Sequence, residues 1–184
     1  RLEVGGCGMK AKFLILLLTV FVTACSSITS DGDIRVFTYN GHEYLYHQRG
    51  GLMHSVSCPC NEPQPKLTEW QELEMAIAMT ESEFNTDAVG SNNDSGILQI
   101  TPVYVAEVNR LSGKDYRHSQ SFDAATSVEM FNTLQSFKNP EKDIDKAIYY
   151  HNKSPFYKKK VMQNLAFIKR YEAFRLTLIN YDND

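Results

Sequence analysis

Apolar positions along this chain change character twice. A nearly unbroken apolar run, Phe13 to Val22, comes first. Between residues 34 and 47 the pattern becomes β-favouring. From residue 68 onward, apolar residues recur every three or four positions, the period of a helix with one buried face. The runs Ile34–Tyr39 and His42–His47 flank Asn40-Gly41, a strong short signal for a hairpin. A loop is expected through Asn61-Glu62-Pro63-Gln64-Pro65. Thr68-Glu69-Trp70-Gln71 then has the form of a capping box, and Trp70, Leu73, Ala76 and Ile77 continue it as a helix that breaks off after Glu81. Ala88 to Ser95 is rich in Ser, Asn, Asp and Gly, the composition of a loop or tight hairpin. Thr101 caps the next helix, with Pro102 at its first position and an end near Gly113. Another helix is expected from Asp123 to Phe137, with Val128, Phe131 and Leu134 as its core stripe. Asp143 caps a short one carrying Ala147, Ile148 and His151. Ser154-Pro155 opens the last, in which Val161, Leu165, Ile168 and then Tyr171 or Glu172 keep helical spacing. No internal repeat is evident.

Composition frames this pattern. With 184 residues, 42% hydrophobic and 11% aromatic, the chain can bury one substantial core. The first apolar run reads as targeting. Met9 is read as the start, Lys10 and Lys12 as a basic n-region, and Phe13 to Val22 as an h-region too short to span a membrane comfortably. Val22-Thr23-Ala24-Cys25 resembles a bacterial lipobox, which would make Cys25 a lipid-bearing N-terminus; an ordinary signal peptide with an incidental Cys25 is the alternative. The expected division is residues 1–25 as upstream residues plus signal, 26–65 as tether and short hairpin segment, and 66–184 as the main helical domain. From Cys25 onward, without Arg1, Lys10, Lys12 and Glu3, the chain carries 16 basic and 21 acidic side chains, a net charge of −5. That balance argues against a nucleic-acid partner, which calls for a basic face. Lys158-Lys159-Lys160, with Lys169, Arg170 and Arg175, reads first as a solvated helix face, and second as an attraction for anionic peptide stems or lipid headgroups.

The cysteines leave two readings. His54, Cys58 and Cys60, with His42 or His47, could assemble a zinc site, but a Cys-Pro-Cys pair lacks the usual knuckle spacing. Free thiols or a strained Cys58–Cys60 disulfide are the plainer reading in an exported protein. No metal and no cofactor is assigned.

Chemistry concentrates at Glu81. It continues the Leu73–Ile77 row by one more four-residue step, so it should point to the apolar side, where lost hydration favours the protonated form. A general acid needs that condition near neutral pH. Glu83 should point elsewhere and stay solvated. A lone helix-end glutamate is far more often exposed or simply paired, so the neighbouring motifs decide.

Those motifs are Glu81-Ser82 with Phe84-Asn85, then Gly96-Ile97-Leu98-Gln99-Ile100-Thr101-Pro102. Together they resemble the soluble lytic transglycosylase domain, a family related to goose-type lysozyme, over roughly Leu67 to Leu165. The family pattern is glutamate-serine, glycine-leucine-methionine-glutamine, a proline, and later tyrosine-asparagine near a glycine. The resemblance implies that Glu81 is the catalytic acid and Ser82 the serine beside it. It implies that Gly96 and Gln99 line the cleft, and that Asn152 belongs to the late motif. Here that motif reads Tyr149-Tyr150-His151-Asn152-Lys153-Ser154. His151 stands where the family has tyrosine, the later glycine is missing, and Tyr150 is the neighbour that could compensate.

The implied fold is mainly α, a lysozyme-like domain with a small β-hairpin or loop region in the cleft, preceded by a short N-terminal β-hairpin. Hydrolytic glycosidases usually use two carboxylates. Glu81 has no obvious partner, although Asp87 and Asp94 lie in the following loop. The resemblance therefore implies a lytic transglycosylase that cleaves the bond between N-acetylmuramic acid and N-acetylglucosamine, with a 1,6-anhydro product. The expected partners are peptidoglycan glycan strands and, through Cys25, a membrane. The expected state is a monomer, held in the cell envelope. A hydrolytic muramidase, a wall-binding lipoprotein that no longer cuts, and a metal-binding regulatory lipoprotein are the alternatives.

Overall fold

The computed structural model describes residues 34–39, 41–47, 51–55 and 66–181. The signal and tether segments, Cys25, Asn40, Cys58, Cys60 and the loop at 61–65 lie outside the described residues, as do the side chains of His47 and His54.

Alternation builds the N-terminal element. Strands β1 (Arg35–Tyr39), β2 (His42–His47) and β3 (Gly51–His54) form an antiparallel sheet in the order β1-β2-β3. Tyr39 faces His42 across the turn, where Gly41 takes φ +79°, a left-handed value that a two-residue hairpin turn demands. Phe37, Tyr39, Tyr44, Tyr46 and Leu52 are buried, while Val36 and Thr38 point away. The hairpin expected from sequence is thus extended by a third strand. That strand is four residues long and directly follows Gly50, with Gly51 as its first residue, too short a run for alternation to reveal it.

The other described elements are helical: α1 (Glu69–Glu81), α2 (Pro102–Ser112), α3 (Ala124–Lys138), α4 (Ile144–His151) and α5 (Pro155–Tyr181), with a 3-10 segment at His118–Phe122. The first four begin at side-chain caps. The capping box of α1 is reciprocal: Thr68 Oγ1 accepts from the Gln71 amide, and Gln71 Oε1 accepts from the Thr68 amide at 2.8 Å. Thr101, Asp123 and Asp143 accept from Tyr104, Thr126 and Lys146 in the same way. Gly113 closes α2 with φ +70°.

Helix α1 is the axis of the molecule. Leu73, Met75, Ala76, Ile77 and Ala78 are buried, and so are Glu72, Glu74 and Thr80, so it is enclosed on nearly every side. It packs along α5, whose buried row is Val161, Leu165 and Ile168, and the sheet residues join the same core. Two of these buried polar side chains, Glu74 and Thr80, are hydrogen-bonded, Thr80 Oγ1 donating to the Ala76 carbonyl at 2.7 Å. Glu74 accepts from the Tyr39 hydroxyl and from Asn132 Nδ2 at 2.7 Å, which binds the sheet and α3 to α1. Burial nonetheless pushes the Glu74 pKa up.

Candidate active site

Glu81 is the last residue of α1, so its position is set by the core packing of Leu73 and Ile77 beneath it. Its side chain is 18% exposed, which leaves the carboxyl reachable yet poorly hydrated. Oε1 lies 3.1 Å from Nε2 of His151, the last residue of α4. The His151 side chain is itself only 5% exposed and is fixed by aromatic rings. Tyr104 and Phe131 meet it edge-on, with centroids at 5.8 and 5.9 Å, and Tyr157 stacks on it at 6.0 Å. A neutral imidazole donates Nε2–H to the ionised carboxylate, and the alternative tautomer accepts the proton of the neutral acid. The contact therefore survives both states that an acid–base catalyst must visit.

Below this pair lies an unusual concentration of unpaired polar atoms. The hydroxyls of Tyr104 and Tyr157 and Nδ1 of His151 are buried without a geometrically formed hydrogen bond among the described residues. Burial raises the Tyr104 pKa. For Tyr157, burial comes first and the nearby Glu81 carboxylate adds to it. Tyr157 is thus a protonated donor near enough to Glu81 for the carboxylate to act on its hydroxyl. Desolvating such groups without partners costs free energy, and in native proteins they gather where chemistry is done.

The loop after α1 brings up the second motif. Gly96 takes φ +76°, and a Cβ there would stand 1.8 Å from the Ser121 carbonyl, so glycine alone fits. Ser95 bridges to both Val89 and Ile100, which makes the loop two short β-bridges, close to the hairpin or loop expected in the cleft. The Gln99 side chain donates to the carbonyls of Ala88 at 3.1 Å and Gly96 at 2.9 Å, leaving its own carbonyl oxygen as the free end. Ser82 donates to the Ile97 carbonyl at 2.9 Å, so its hydroxyl fastens the end of α1 to this turn and makes no bond to the Glu81 carboxylate. The structure thus joins Glu81, Ser82, Gly96 and His151 through direct contacts or one shared turn.

Other sequence candidates lie differently. Tyr150 is exposed and packs edge-on against Tyr149, on the side of α4 away from His151 in the helical order. Asn152 is exposed and caps α4 from outside, its Oδ1 accepting from the Ser154 amide at 3.0 Å. Glu83 stays partly exposed. Asp94 is turned into its own loop: Oδ1 accepts from the Asn92 amide at 3.0 Å, and the carboxyl fills the space beside Gly90.

Sequence reasoning missed Tyr157 and Tyr104. A signal for Tyr157 existed, because it begins the four-residue row Tyr157, Val161, Leu165 on the buried side of α5. A phenol on a core row carries a hydroxyl that must find something to do.

The profile of the transglycosylase SLT domain family matches residues 59–159, more than half of the chain. No curated protein and no solved structure matches the chain.

Proposed function

The chain belongs to the transglycosylase SLT domain family, whose activity is directed at peptidoglycan, and from that premise we propose that it is a lytic transglycosylase with Glu81 as its one acid–base catalyst. The observation that carries this reading is the company of the Glu81 carboxyl. It meets the imidazole of His151 and the phenol of Tyr157, both proton donors, while Asp94 is occupied within its own loop. Hydrolysis by two carboxylates would need a second acid set to hold water.

Glu81 begins protonated and gives its proton to the oxygen linking N-acetylmuramic acid to N-acetylglucosamine as that bond breaks. The acetamide oxygen of the substrate supports the positive anomeric carbon. The Glu81 carboxylate then takes the proton of the C6 hydroxyl, whose oxygen closes on the anomeric carbon as a 1,6-anhydro ring. No water is consumed, and the acid is restored. His151 and Tyr157 steady the carboxylate between the two transfers. The carbonyl of Gln99 is the proposed contact to the sugar, and Asn152 and Tyr150 would join it only if the glycan extends past the end of α4.

The test is the mass of muropeptides released from purified peptidoglycan. An anhydro product is one water lighter than a hydrolysed one. Glu81→Gln should lower turnover by about a hundredfold or more while the protein stays folded, since acid–base catalysis of this kind is worth roughly 10²–10⁴ in rate. Hydrated products would replace this reading with a muramidase, and turnover retained by Glu81→Gln would remove Glu81 from the chemistry. No described helix is long and apolar enough to cross a membrane. A lipid on Cys25 is the proposed anchor in the envelope, with residues 26–65 between anchor and catalytic domain. Cys25→Ser should move the protein from the membrane fraction to the soluble one, and an unchanged distribution would refute the anchor.

A further inference from the structure

The helix carrying Glu81 ends in a backbone conformation that its own residues do not favour. Glu83 and Phe84 take φ values of 52° and 62°, left-handed angles at two successive non-glycine positions. Such angles carry a steric cost that surrounding structure must offset. The last turn of α1 also lacks any basic side chain to meet its carbonyl end.

The compensation comes from the sheet. Nη1 of Arg35, on β1, donates to the carbonyls of both Ser82 and Glu83, the latter at 3.0 Å, and lies 3.8 Å from the Glu83 carboxylate. Phe37, two residues on, stacks on Phe84 with centroids 4.2 Å apart and the rings within 4° of parallel. Tyr46, on β2, meets the same Phe84 ring edge-on at 5.1 Å. Arg35, Phe37 and Tyr46 all precede the residues matched by the family. The turn that follows the acid is thus held by a segment the family match does not include.

We propose that the N-terminal sheet is a clamp on the turn after Glu81, with Arg35 as a positioning residue for that acid. One guanidinium nitrogen bonded to two successive carbonyls fixes their relative orientation, and its charge suits the carbonyl end of a helix. Without it, the two left-handed residues can relax, and the last turn of α1 rotates with them. Glu81 would then leave the place where His151 meets it at 3.1 Å. The cost of such a shift falls on turnover, because a displacement near 1 Å can lower a rate about a hundredfold. Substrate contacts elsewhere in the cleft are untouched, so KM should hardly move.

This inference rests on the transglycosylase reading for its effect on rate, and its test carries a second readout that does not. The full chain is compared with Arg35→Ala, Arg35→Lys and, as control, Val36→Ala, whose side chain is 54% exposed on the other face of β1. Arg35→Ala should lower kcat about ten- to a hundredfold with KM within about twofold, and millimolar methylguanidine should restore part of kcat. The amides of Phe84 and Asn85, bonded to the carbonyls of Ala78 and Ser82, should exchange faster, while exchange in α3 is unchanged. Val36→Ala should match wild type in both readouts. Unchanged kcat in Arg35→Ala overturns the proposal, whether or not exchange at the turn rises. If that variant does not fold, Arg35→Lys decides. It keeps the charge but loses the reach and the planar, fixed donor directions of Nη1, so a loss of about threefold in kcat is expected, and no loss overturns the proposal. Should wild type itself release no product, the transglycosylase reading fails, and the clamp stands or falls on exchange at Phe84 and Asn85.

Discussion

Tyr157 sits in an environment that is poor for stability and good for chemistry. Its hydroxyl is buried without a geometrically formed hydrogen bond among the described residues, next to the carboxylate of Glu81. An unpaired hydroxyl in such a place costs about 1–3 kcal/mol. Tyr157→Phe removes the hydroxyl and keeps the ring that stacks on His151. The variant should therefore be as stable as wild type, or more so by up to about 1 kcal/mol. If the phenol steadies the ionised acid between its two proton transfers, turnover should still fall, by about tenfold. Denaturant melts and muropeptide release on one protein preparation separate the two effects. Stability and activity falling together would mark Tyr157 as packing only. The raised Tyr157 pKa adds a check of sign. The phenol holds its proton across the working range and adds no ionisation of its own, so if it steadies the ionised acid, Tyr157→Phe should move the alkaline limb of the rate profile to higher pH.

At the scale of elements, caps and turns carry the precision of the site. Gly96 is the sharpest case, since its φ is +76° and the Ser121 carbonyl occupies the space of a Cβ. Gly96→Ala should destabilise by at least about 2 kcal/mol and should also lower turnover, because Ile97, next in the turn, holds the Ser82 hydroxyl at the end of α1. A variant within about 0.5 kcal/mol of wild type in a denaturant melt would show that the turn has slack. What could be read in advance follows the range of the interactions. Thr68 with Gln71, Thr101 with Pro102 and Gly113, Asp123 and Asp143 act over three or four residues or mark a helix end, so the starts of α1 to α4 were legible. The 3-10 segment was not, because His-Ser-Gln-Ser-Phe has no apolar period, and its Ser121 is fixed by Ser95 from 26 residues away. Glu81 was legible through its row and its motif, and His151 through a departure from a pattern. The Tyr157–Glu81 relation was not, since it depends on how α5 lies along α1.

Among the phenols that burial shelters, three stand at separate joints of one core. Tyr39 links the sheet to Glu74 of α1, Tyr104 belongs to α2 and Tyr157 to α5. Burial is the leading cause of the raised pKa in each, with Glu74 adding to it at Tyr39 and Glu81 at Tyr157. The sign of the linkage follows. The folded chain holds these protons more tightly than the unfolded chain, whose tyrosines ionise near pH 10. The stability associated with them is complete below that pH and is lost as pH rises above it, by up to about 1.4 kcal/mol per pH unit for each tyrosine. Three such groups acting together should outweigh a marginal folding free energy within a unit or two of pH. Alkaline unfolding should thus be a steep transition above pH 10, with phenolate absorbance rising in step with loss of helix. Tyr157→Phe should lessen that steepness, since it removes one of the linked protons. A smooth titration of all ten tyrosines near their ordinary value, with helix content intact, would show these phenols in contact with solvent and the core looser than described. That outcome would also undo the sheltered setting on which the acid at the end of α1 depends.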